Sequence, residues 1–481
     1  MKRVSLVIPS FAAILILTVL ACGGGPMLTP TPKPLPMPTI TRTPPATKVP
    51  TQPPLTGEVT ILDTSAFMFL QQYCVVGIIR NDTNQALKSI ELTIKMTDAS
   101  GNSLLKDNDG KTIPTDQFNP AMGHLLPGEE GPFIYISGYL SAEPASYKVT
   151  VTGQQLTQFA RANVEVRNAQ MVNTNYWLYT NGDFLQLNGV VINLSDQWIN
   201  VGNISGAGLD AQGNILTAQW AMDWAPLLAP VGDPQGRDRT PFKIGLPNPG
   251  NVTHWAFYVD AEPLDGFVRD PGNQFALEVA NHYLDSRGDY HIVGWMVNNS
   301  SMGVIVPSIV GGVFASDGTV LEVSMGSAGT SFYVEAGSRV PFDVTNFDII
   351  KTQPQQASRL DHCTVQFLLN QVFLSQEAAS VAEYVNLQSK NDQVQKSHEA
   401  WVITGDFTNT SDKNLRWVDI IVLIYNSQGD LVATGTGFVS PPSGVIAPNK
   451  TSHYQTRILI DPTVDYSQFT YEVLVRGSVS K

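Results

Sequence analysis

Cysteine is scarce in this sequence, with three residues in a chain of 481. Cys74 and Cys363 stand far apart, so we expect no disulfide within a single compact unit. An unpaired cysteine usually behaves as a small buried apolar residue. We therefore predict two buried free thiols, with an intermolecular disulfide as the alternative, and folded units that are stabilised by core packing.

Charged residues are also few, at 15% of the chain, and basic residues are outnumbered by acidic ones. Residues 1–56 contain five basic residues and no acidic one. Because the whole chain has a net charge of −13 and residues 1–56 carry +5, residues 57–481 carry −18. Nucleic acids and anionic lipids attract basic surfaces. The charge of the region 57–481 argues against nucleic acid as a partner.

Local signatures of catalysis are missing. The sequence has no Gly-x-Ser-x-Gly elbow, no His-Glu-x-x-His motif and no glycine-rich phosphate loop. Its seven histidines are scattered, and His282 and His291 have no cysteine or third histidine close by in sequence. A catalytic triad is recognised by geometry and need leave no local motif. From the missing signatures we predict that the protein is not an enzyme and uses no cofactor.

One pattern occurs four times. A glycine is followed four residues later by an asparagine and 24 residues later by a second glycine. The copies are Gly77, Asn81 and Gly101; Gly189, Asn193 and Gly213; Gly294, Asn298 and Gly318; and Gly405, Asn409 and Gly429. A spacing that is held while the intervening residues change predicts four tandem units of one fold.

Each copy has the hydrophobic pattern of β-strands separated by turns. In the first copy, Ile90, Leu92 and Ile94 alternate with polar residues, as in a strand with one buried face. The second glycine supplies the positive φ of a tight hairpin. A Pro-aromatic pair such as Pro241-Phe242 and a final strand complete the copy. About seven strands in about 100 residues are typical of an immunoglobulin-like β-sandwich.

The pattern resembles the FxLYD-type immunoglobulin-like repeats of bacterial and archaeal surface proteins. The best match runs from Ile420 to Gly429 and reads Ile-Ile-Val-Leu-Ile-Tyr-Asn-Ser-Gln-Gly. The first copy departs from it, with Met96-Thr97-Asp98 in place of the aromatic. The resemblance covers residues 57–481 loosely. It implies a fold and a cell-surface setting and transfers no catalytic residue.

We predict an all-β chain of four tandem immunoglobulin-like β-sandwich domains after a signal peptide and a disordered Pro/Thr-rich stalk. The predicted divisions are 1–21 for the signal peptide, 22–56 for the lipidated cysteine and stalk, and 57–154, 155–265, 266–371 and 372–481 for repeats 1 to 4. Short linkers, among them Ser389–Asp392, predict a semi-extended and jointed array.

The N-terminal apolar run resembles a lipoprotein signal. Two basic residues precede an apolar stretch from Val4 to Leu20, and Val19 to Cys22 resembles the bacterial lipobox. A membrane span needs about 20 apolar residues, and an uncleaved anchor of this kind is the alternative. Cleavage before Cys22 and diacylation of its sulfur would give stable anchoring, since two acyl chains suffice. We predict an extracytoplasmic protein held on the cell membrane through Cys22.

The segment after Cys22 is rich in proline and threonine up to residue 56. It has too few apolar residues to fold. Extended polyproline II structure rises about 3.1 Å per residue, so this stalk would reach at most about 100 Å.

Repeat 2 carries the candidate binding residues. It holds five of the eight tryptophans, and residues 219–239 are rich in Trp, Pro and charge. Trp220 and Trp224 are the candidates for stacking on a sugar ring or anchoring a protein partner. The alternative is that both close the end of the sandwich as core, because tryptophan is mostly buried.

A second candidate site lies in repeat 1. Asp107, Asn108 and Asp109 precede Gly110 and resemble half of a calcium loop. A full loop supplies more carboxylates and a bidentate glutamate. The alternative is a polar hairpin turn.

These observations predict a lipid-anchored cell-surface protein with a non-catalytic adhesion, scaffold or spacer role. The alternative is a carbohydrate- or cell-wall-binding protein that uses the Trp-rich loop of repeat 2. The expected partners are the membrane through Cys22 and cell-wall polysaccharide or surface proteins.

Overall fold

A computed structural model of the chain describes residues 57–70, 72–140, 142–173, 184–264, 274–301, 303–305, 308–328, 333–345, 347, 350, 354–368, 384–440 and 444–479. The predicted signal peptide, the stalk and Cys22 lie outside these residues. Within them the protein is all-β, as predicted. It contains 29 strands in antiparallel sheets and, in the described part, a single helix of four residues.

Repeat 1 consists of two sheets, and the other repeats have corresponding sheets. Its strands are β1 Val59–Phe69, β2 Gln72–Asn81, β3 Ala86–Thr97, β4 Asp116–Phe118, β5 His124–Leu125, β6 Glu130–Tyr139 and β7 Ser146–Thr157. Strands β1, β2 and β6 form one sheet, here called the Gly sheet because β2 contains Gly77. Strand β3 pairs with β4, β5 and β7 in the second sheet, here called the hairpin sheet because Gly101 follows β3.

Repeat 2 follows the same plan. Its strands are β8 Val164–Asn173, β9 Phe184–Asn193, β10 Ile199–Leu209, β11 Ile215–Trp220, β12 Leu227–Leu228, β13 Arg239–Pro247 and β14 His254–Pro263. The Gly sheet has the order β13-β9-β8, and in the hairpin sheet β10 pairs with β11, β12 and β14.

Repeat 3 joins its two sheets at one edge. Its elements are β15 Phe275–Leu284, β16 Tyr290–Asn298, β17 Val304–Ile305, β18 Ser308–Ala315, β19 Val320–Ala328, β20 Tyr333–Val334, β21 Arg339–Val344, the helix α1 Pro354–Ala357 and β22 Leu360–Phe367. The Gly sheet β15-β16-β21 connects to the hairpin sheet β19-β18-β22 where β21 pairs with the end of β19. Strands β17 and β20 form a separate pair.

Repeat 4 closes the described chain. Its strands are β23 Tyr384–Leu387, β24 Ser389–Lys396, β25 Ala400–Thr408, β26 Leu415–Tyr425, β27 Leu431–Val439, β28 Thr451–Leu459 and β29 Thr470–Val479. The Gly sheet is β24-β25-β28 and the hairpin sheet is β23-β29-β26-β27. The predicted linker Ser389–Asp392 is wrong, because these residues form the start of β24 and pair with β25.

Of the predicted divisions between repeats, one falls within the described residues and can be compared with the strands. The division between 154 and 155 falls inside β7. The divisions at 265/266 and 371/372 lie outside the described residues.

The first glycine of the pattern makes room for an aromatic ring. Gly189 pairs with Phe242 across β9 and β13, and a Cβ on it would meet the ring at 2.7 Å. The same pairing joins Gly77 to Phe133, Gly294 to Phe342 and Gly405 to Tyr454. A ring can lie flat over a strand only where no side chain stands beneath it. The first glycine of the pattern and the later aromatic residue therefore form one contact in the core of each repeat.

The asparagine of the pattern ties two loops to the core in every repeat. Asn409 is fully buried, and its Nδ2 donates to the backbone oxygens of Lys413 and Ile446 at 2.8 and 2.9 Å. Its Oδ1 accepts from the backbone N–H of Ser411 at 3.1 Å and from the Ser411 hydroxyl at 2.6 Å. Asn81, Asn193 and Asn298 are also fully buried and repeat the arrangement.

The repeats pack face to face. The Gly sheet of each of the first three repeats lies against the hairpin sheet of the next one. The apolar contacts are Val76, Ile78 and Ile134 with Ala207, Ile215 and Ala218; Val190 and Ile192 with Val310, Phe314, Val320 and Val323; and Trp295 with Ile421, Leu423 and Leu431. The predicted jointed array is wrong at these junctions, because the outward apolar residues of the strands are buried between repeats.

A bulge in the first strand of the Gly sheet reinforces each junction. Asp63 accepts a hydrogen bond from the backbone N–H of Ile215 at 2.9 Å. Asn168 and Asn281 donate to the backbone oxygens of Gly318 and Val432 at 2.9 and 2.8 Å. In repeat 4 the equivalent Asn391 donates to Asp406 of its own sheet at 3.1 Å.

The two outermost faces of the stack are polar. On the hairpin sheet of repeat 1 the exposed side chains include Glu91, Lys95 and Lys148. On the Gly sheet of repeat 4 they include His453, Gln455 and Arg457. These polar faces differ from the faces that meet at the three junctions, which are apolar.

Candidate functional site

The two candidate tryptophans of repeat 2 occupy different environments. Trp224 packs against the core of repeat 2, and its indole N–H donates to the backbone oxygen of Val201 at 3.1 Å. Trp220, the last residue of β11, is 43% exposed, and the nearby Met222 is 54% exposed. Core packing accounts for Trp224, whereas Trp220 is available to a ligand.

The three candidate calcium ligands lie in one exposed hairpin turn. Asp107 Oδ1 accepts from the backbone N–H groups of Asp109 and Lys111 at 3.0 and 2.9 Å. Gly110 has the positive φ of 77° that this turn requires. In the part of the chain that the structure describes, no group of three or more His, Cys, Asp or Glu residues could hold a metal ion. The turn accounts for the role of Asp107, and calcium binding by Asp107, Asn108 and Asp109 stays a prediction.

Both described cysteines are free thiols. Cys74 is fully buried, and burial raises its pKa to about 12. Cys363 is half-buried, and burial raises its pKa to about 11. A thiol acts as a nucleophile through its thiolate, so neither group is reactive near neutral pH.

A buried cluster of charges lies where repeats 2 and 3 meet. Lys243 Nζ is 3.2 Å from Glu322 Oε1 and 3.5 Å from Asp223 Oδ2. The side chains of Lys243 and Glu322 are 9% and 0% exposed. Gln186 Nε2 donates to Glu322 Oε1 at 2.9 Å. Burial raises the pKa of Asp223, and the ammonium group of Lys243 offsets only part of the rise.

These charged residues depart from the repeat pattern. Lys243 directly follows the aromatic residue, where the other repeats have Ile134, Asp343 and Gln455. Glu322 stands four residues after the second glycine, at the position that is Thr217 in repeat 2. Asp223 belongs to the Trp-rich segment that is particular to repeat 2. Three residues that differ from the pattern of the other repeats therefore lie together at the junction of repeats 2 and 3.

The junction of repeats 1 and 2 contains a second buried network. Asp260 is 6% exposed and accepts from the backbone N–H groups of Gly123 and His124 at 2.9 and 3.1 Å. Arg161 binds Asp260 and also binds Glu129 at 2.7 Å. All the charged groups are paired with each other or with backbone atoms, which is the arrangement of a structural clamp.

A third charged cluster is formed by His291 between two carboxylates. Its Nδ1 is 3.0 Å from Asp343 Oδ2, and its Nε2 is 3.5 Å from Asp285 Oδ2. Burial alone would lower the pKa of His291, but the two carboxylates raise it to about 10. The ring stacks on Tyr283 with centroids 4.7 Å apart. The imidazolium is thus held as a fixed positive charge near neutral pH, and a proton on each nitrogen leaves none to bind a metal.

A cavity of about 300 Å³ lies beside the junction of repeats 2 and 3. Its apolar lining includes Leu227, Phe275 and Phe367, and its polar lining includes Gln366 and Arg237. The guanidinium of Arg237 is bound to Asp233 at 2.7 Å. Gln366 Nε2 donates to the backbone oxygens of Gly236 and Arg239. Gln366 thus joins repeat 3 to repeat 2, whereas Arg237 is paired within repeat 2.

Comparison with known proteins does not identify a family. No described protein family and no curated protein sequence matches the chain. Among solved structures, a beta-glucuronidase from glycoside hydrolase family 2 is similar at 11% identity and a TM-score of 0.11, over 56% of this chain and 27% of that chain. A mutant of Salmonella alpha-2-macroglobulin is similar at 8% identity and a TM-score of 0.12, over 87% of this chain and 29% of that one.

TM-scores this low carry no argument about architecture or activity. The chain spans less than a third of the length of either structure. In the described residues, no helix is long and apolar enough to cross a membrane.

Sequence reasoning missed the clusters at the junctions. Asp223, Lys243 and Glu322 are far apart in sequence, and no motif connects them. Aligning the four repeats could have revealed Lys243 and Glu322. At the equivalent positions, counted from the repeated glycines and aromatics, the other repeats have residues of another type.

Proposed function

We propose that the chain is a lipid-anchored cell-surface protein in which four immunoglobulin-like repeats form a non-catalytic spacer or scaffold. The observation that supports this most is the repeated junction. At each of the three contacts the same two faces meet, with an apolar centre and a side chain of the bulge bound to the next repeat. Repeated contacts between neighbours give an array a defined axis.

The packing sets the length of the proposed spacer. Each repeat contributes two sheets, and packed sheets lie about 10 Å apart, so the outermost of eight layers are roughly 70 Å apart. The predicted stalk would add up to about 100 Å between the anchor and the first repeat. The far end of repeat 4 would then stand well away from the membrane.

Small-angle X-ray scattering on residues 57–481 tests the stack. We expect a single maximum dimension that fits eight packed layers. Val190→Asp places a carboxylate in the buried apolar contact between repeats 2 and 3, where Val190 is 6% exposed. This variant should lengthen the particle, whereas Thr152→Asp on the exposed outer face of repeat 1 should not. A flexible wild-type chain, or no response to Val190→Asp, contradicts a stiff spacer.

The proposed anchor has a separate test. Cys22→Ser in the whole chain removes the sulfur that would carry the lipid. We expect the protein to leave the membrane fraction and to lose incorporation of labelled fatty acid. Retention in the membrane with undiminished labelling contradicts anchoring through Cys22.

The exposure of Trp220 favours one alternative function, carbohydrate or cell-wall binding through repeat 2. An exposed indole supplies a flat apolar face for a sugar ring. Binding to cell-wall polysaccharide or a glycan array should be lost in Trp220→Ala with unchanged thermal stability. Trp224→Ala is the matched control, because this ring packs in the core and its loss should lower stability. Equal binding by wild type and Trp220→Ala excludes this site.

A further inference from the structure

Lys243 is the one lysine that the structure buries among the residues it describes. Lysine and glutamate are almost never fully buried unless they are paired. Here Lys243 and the fully buried Glu322 are paired, and a second carboxyl group, that of Asp223, completes the cluster. The three groups come from β13, from β19 of the next repeat and from the segment after β11.

The charges of this cluster do not balance. Two carboxylates face one ammonium group where little water enters. Burying an ion removes its hydration, and an ion pair recovers that loss only in part. Burial raises the pKa of Asp223, Lys243 offsets part of the rise, and Glu322 adds a smaller rise. Condensation of the ammonium group with the Asp223 carboxylate would remove two buried charges and leave the Glu322 carboxylate, which Gln186 Nε2 hydrogen-bonds at 2.9 Å.

We propose that Lys243 and Asp223 condense to an intramolecular amide, with Glu322 as the group that carries the proton. Nζ of Lys243 forms a bond to Cγ of Asp223, and the bond from Cγ to one carboxyl oxygen breaks. The ammonium and carboxylate together lose one water and leave a neutral amide. No oxidant, cofactor or second substrate is needed, and each chain reacts once.

The backbone places the two reacting groups side by side. Asp223 and Lys243 are partners in an antiparallel bridge, and the backbone N–H of Met222 donates to the oxygen of Lys243 at 3.3 Å. Cross-strand partners of this kind have side chains on the same face. Lys243 Nζ lies 3.5 Å from Asp223 Oδ2, an oxygen bonded to the Cγ that it would attack.

Glu322 is positioned for proton transfer. Its Oε1 lies 3.2 Å from Lys243 Nζ and is held by Gln186 Nε2 and by its own neighbour, the backbone N–H of Val323. Transfer of one ammonium proton to Glu322 gives the free amine that attacks. Return of that proton to the departing carboxylate oxygen, together with transfer of a second proton from the attacking nitrogen, releases water and restores the Glu322 carboxylate.

The third group comes from another repeat, so the reaction requires the junction to be assembled. The link would fasten the Trp-rich segment of repeat 2 to β13 only after repeat 3 has packed on it. This is a property of the fold and does not depend on the spacer role proposed above.

Mass spectrometry of the full chain tests the amide. In the wild type, a proteolytic digest should contain the peptides of Asp223 and Lys243 joined to each other, with a mass lower by one water than their sum. Lys243→Arg keeps the positive charge and should contain no joined peptide. Asp223→Asn should give the same linked product as wild type, because the side-chain amide loses ammonia in place of water.

Glu322→Gln tests the proposed proton transfer in a side chain of nearly unchanged size. It keeps the size of the side chain and both reacting groups, and it should leave the peptides largely unjoined in a protein with wild-type far-ultraviolet circular dichroism. Wild-type protein with separate, full-mass peptides overturns the proposal. A loss of water that persists in Lys243→Arg also overturns it, since the dehydration would then lie elsewhere. Linkage in Glu322→Gln equal to wild type refutes the role of Glu322.

Discussion

The buried asparagine of each repeat offers the sharpest test of how the repeated pattern stabilises the fold. Asn409 makes four hydrogen bonds in repeat 4, two donated and two accepted. Its side chain is fully buried, so water cannot replace these bonds. At about 1 kcal/mol net for each bond, Asn409→Ala should lower the free energy of opening of this region by about 3–4 kcal/mol.

Ser411→Ala is the matched control. It removes the hydroxyl that donates to Asn409 and leaves the backbone bond of residue 411 intact. The expected loss is about 1 kcal/mol. A ratio of about three between the two variants distinguishes a network centred on the asparagine from a general loss of polar contacts.

Native-state hydrogen exchange read by mass spectrometry is the appropriate assay, because a chain of several packed repeats need not unfold in one step. Since 1.4 kcal/mol is a factor of ten, peptides from β25 and β26 should exchange roughly 10²–10³ times faster in Asn409→Ala. Peptides from β2 in repeat 1 serve as the internal reference. Acceleration of less than tenfold, or no difference between the two variants, would refute the reasoning.

Three further outcomes follow from the geometry. Gly189→Ala places a methyl group 2.7 Å from the nearest atom of the Phe242 ring. This overpacking should destabilise repeat 2 by about 1–3 kcal/mol, as measured by thermal unfolding. A variant with wild-type stability contradicts the pairing of Gly189 with Phe242. His291 has a folded pKa of about 10, above its unfolded value of about 6.5, so its contribution to stability is complete below about pH 6.5 and is lost as pH rises through 10. An NMR titration should show this, Asp343→Asn should lower the pKa, and a wild-type midpoint near 6.5 contradicts it. Cys74 is fully buried with a pKa of about 12, so a thiol reagent should modify it only after unfolding; rapid labelling of the native protein contradicts this.

The periodicity of the chain predicted much of the fold. Alternation in segments such as Ile90 to Met96 identified strands, and both Ile90 and Met96 are buried in the core. The second glycine was predicted to supply positive φ, and Gly101, Gly213, Gly318 and Gly429 have φ values from 80° to 89°. These are local properties, because one residue and its immediate neighbours decide them.

The candidate site was predicted less well. Composition marked the segment around Trp220 and Trp224 as unusual, but composition does not distinguish a core indole from an exposed one. That distinction depends on where the segment crosses the sandwich, and in the structure the indole of Trp224 reaches Val201 on β10. The short-linker argument was wrong for Ser389–Asp392 because polar residues also occur in an edge strand with a bulge.

The sequence by itself therefore determined the number of repeats, their all-β character and the positions of their tight turns, because period-two hydrophobicity and positive-φ glycines act over a few residues. Tertiary structure alone decided that Gly189 lies beneath Phe242 and that successive repeats bury a common face. It also decided that Lys243, Asp223 and Glu322 meet. Such contacts depend on which faces of distant strands are brought together, and that is a property of the packed sheets as a whole.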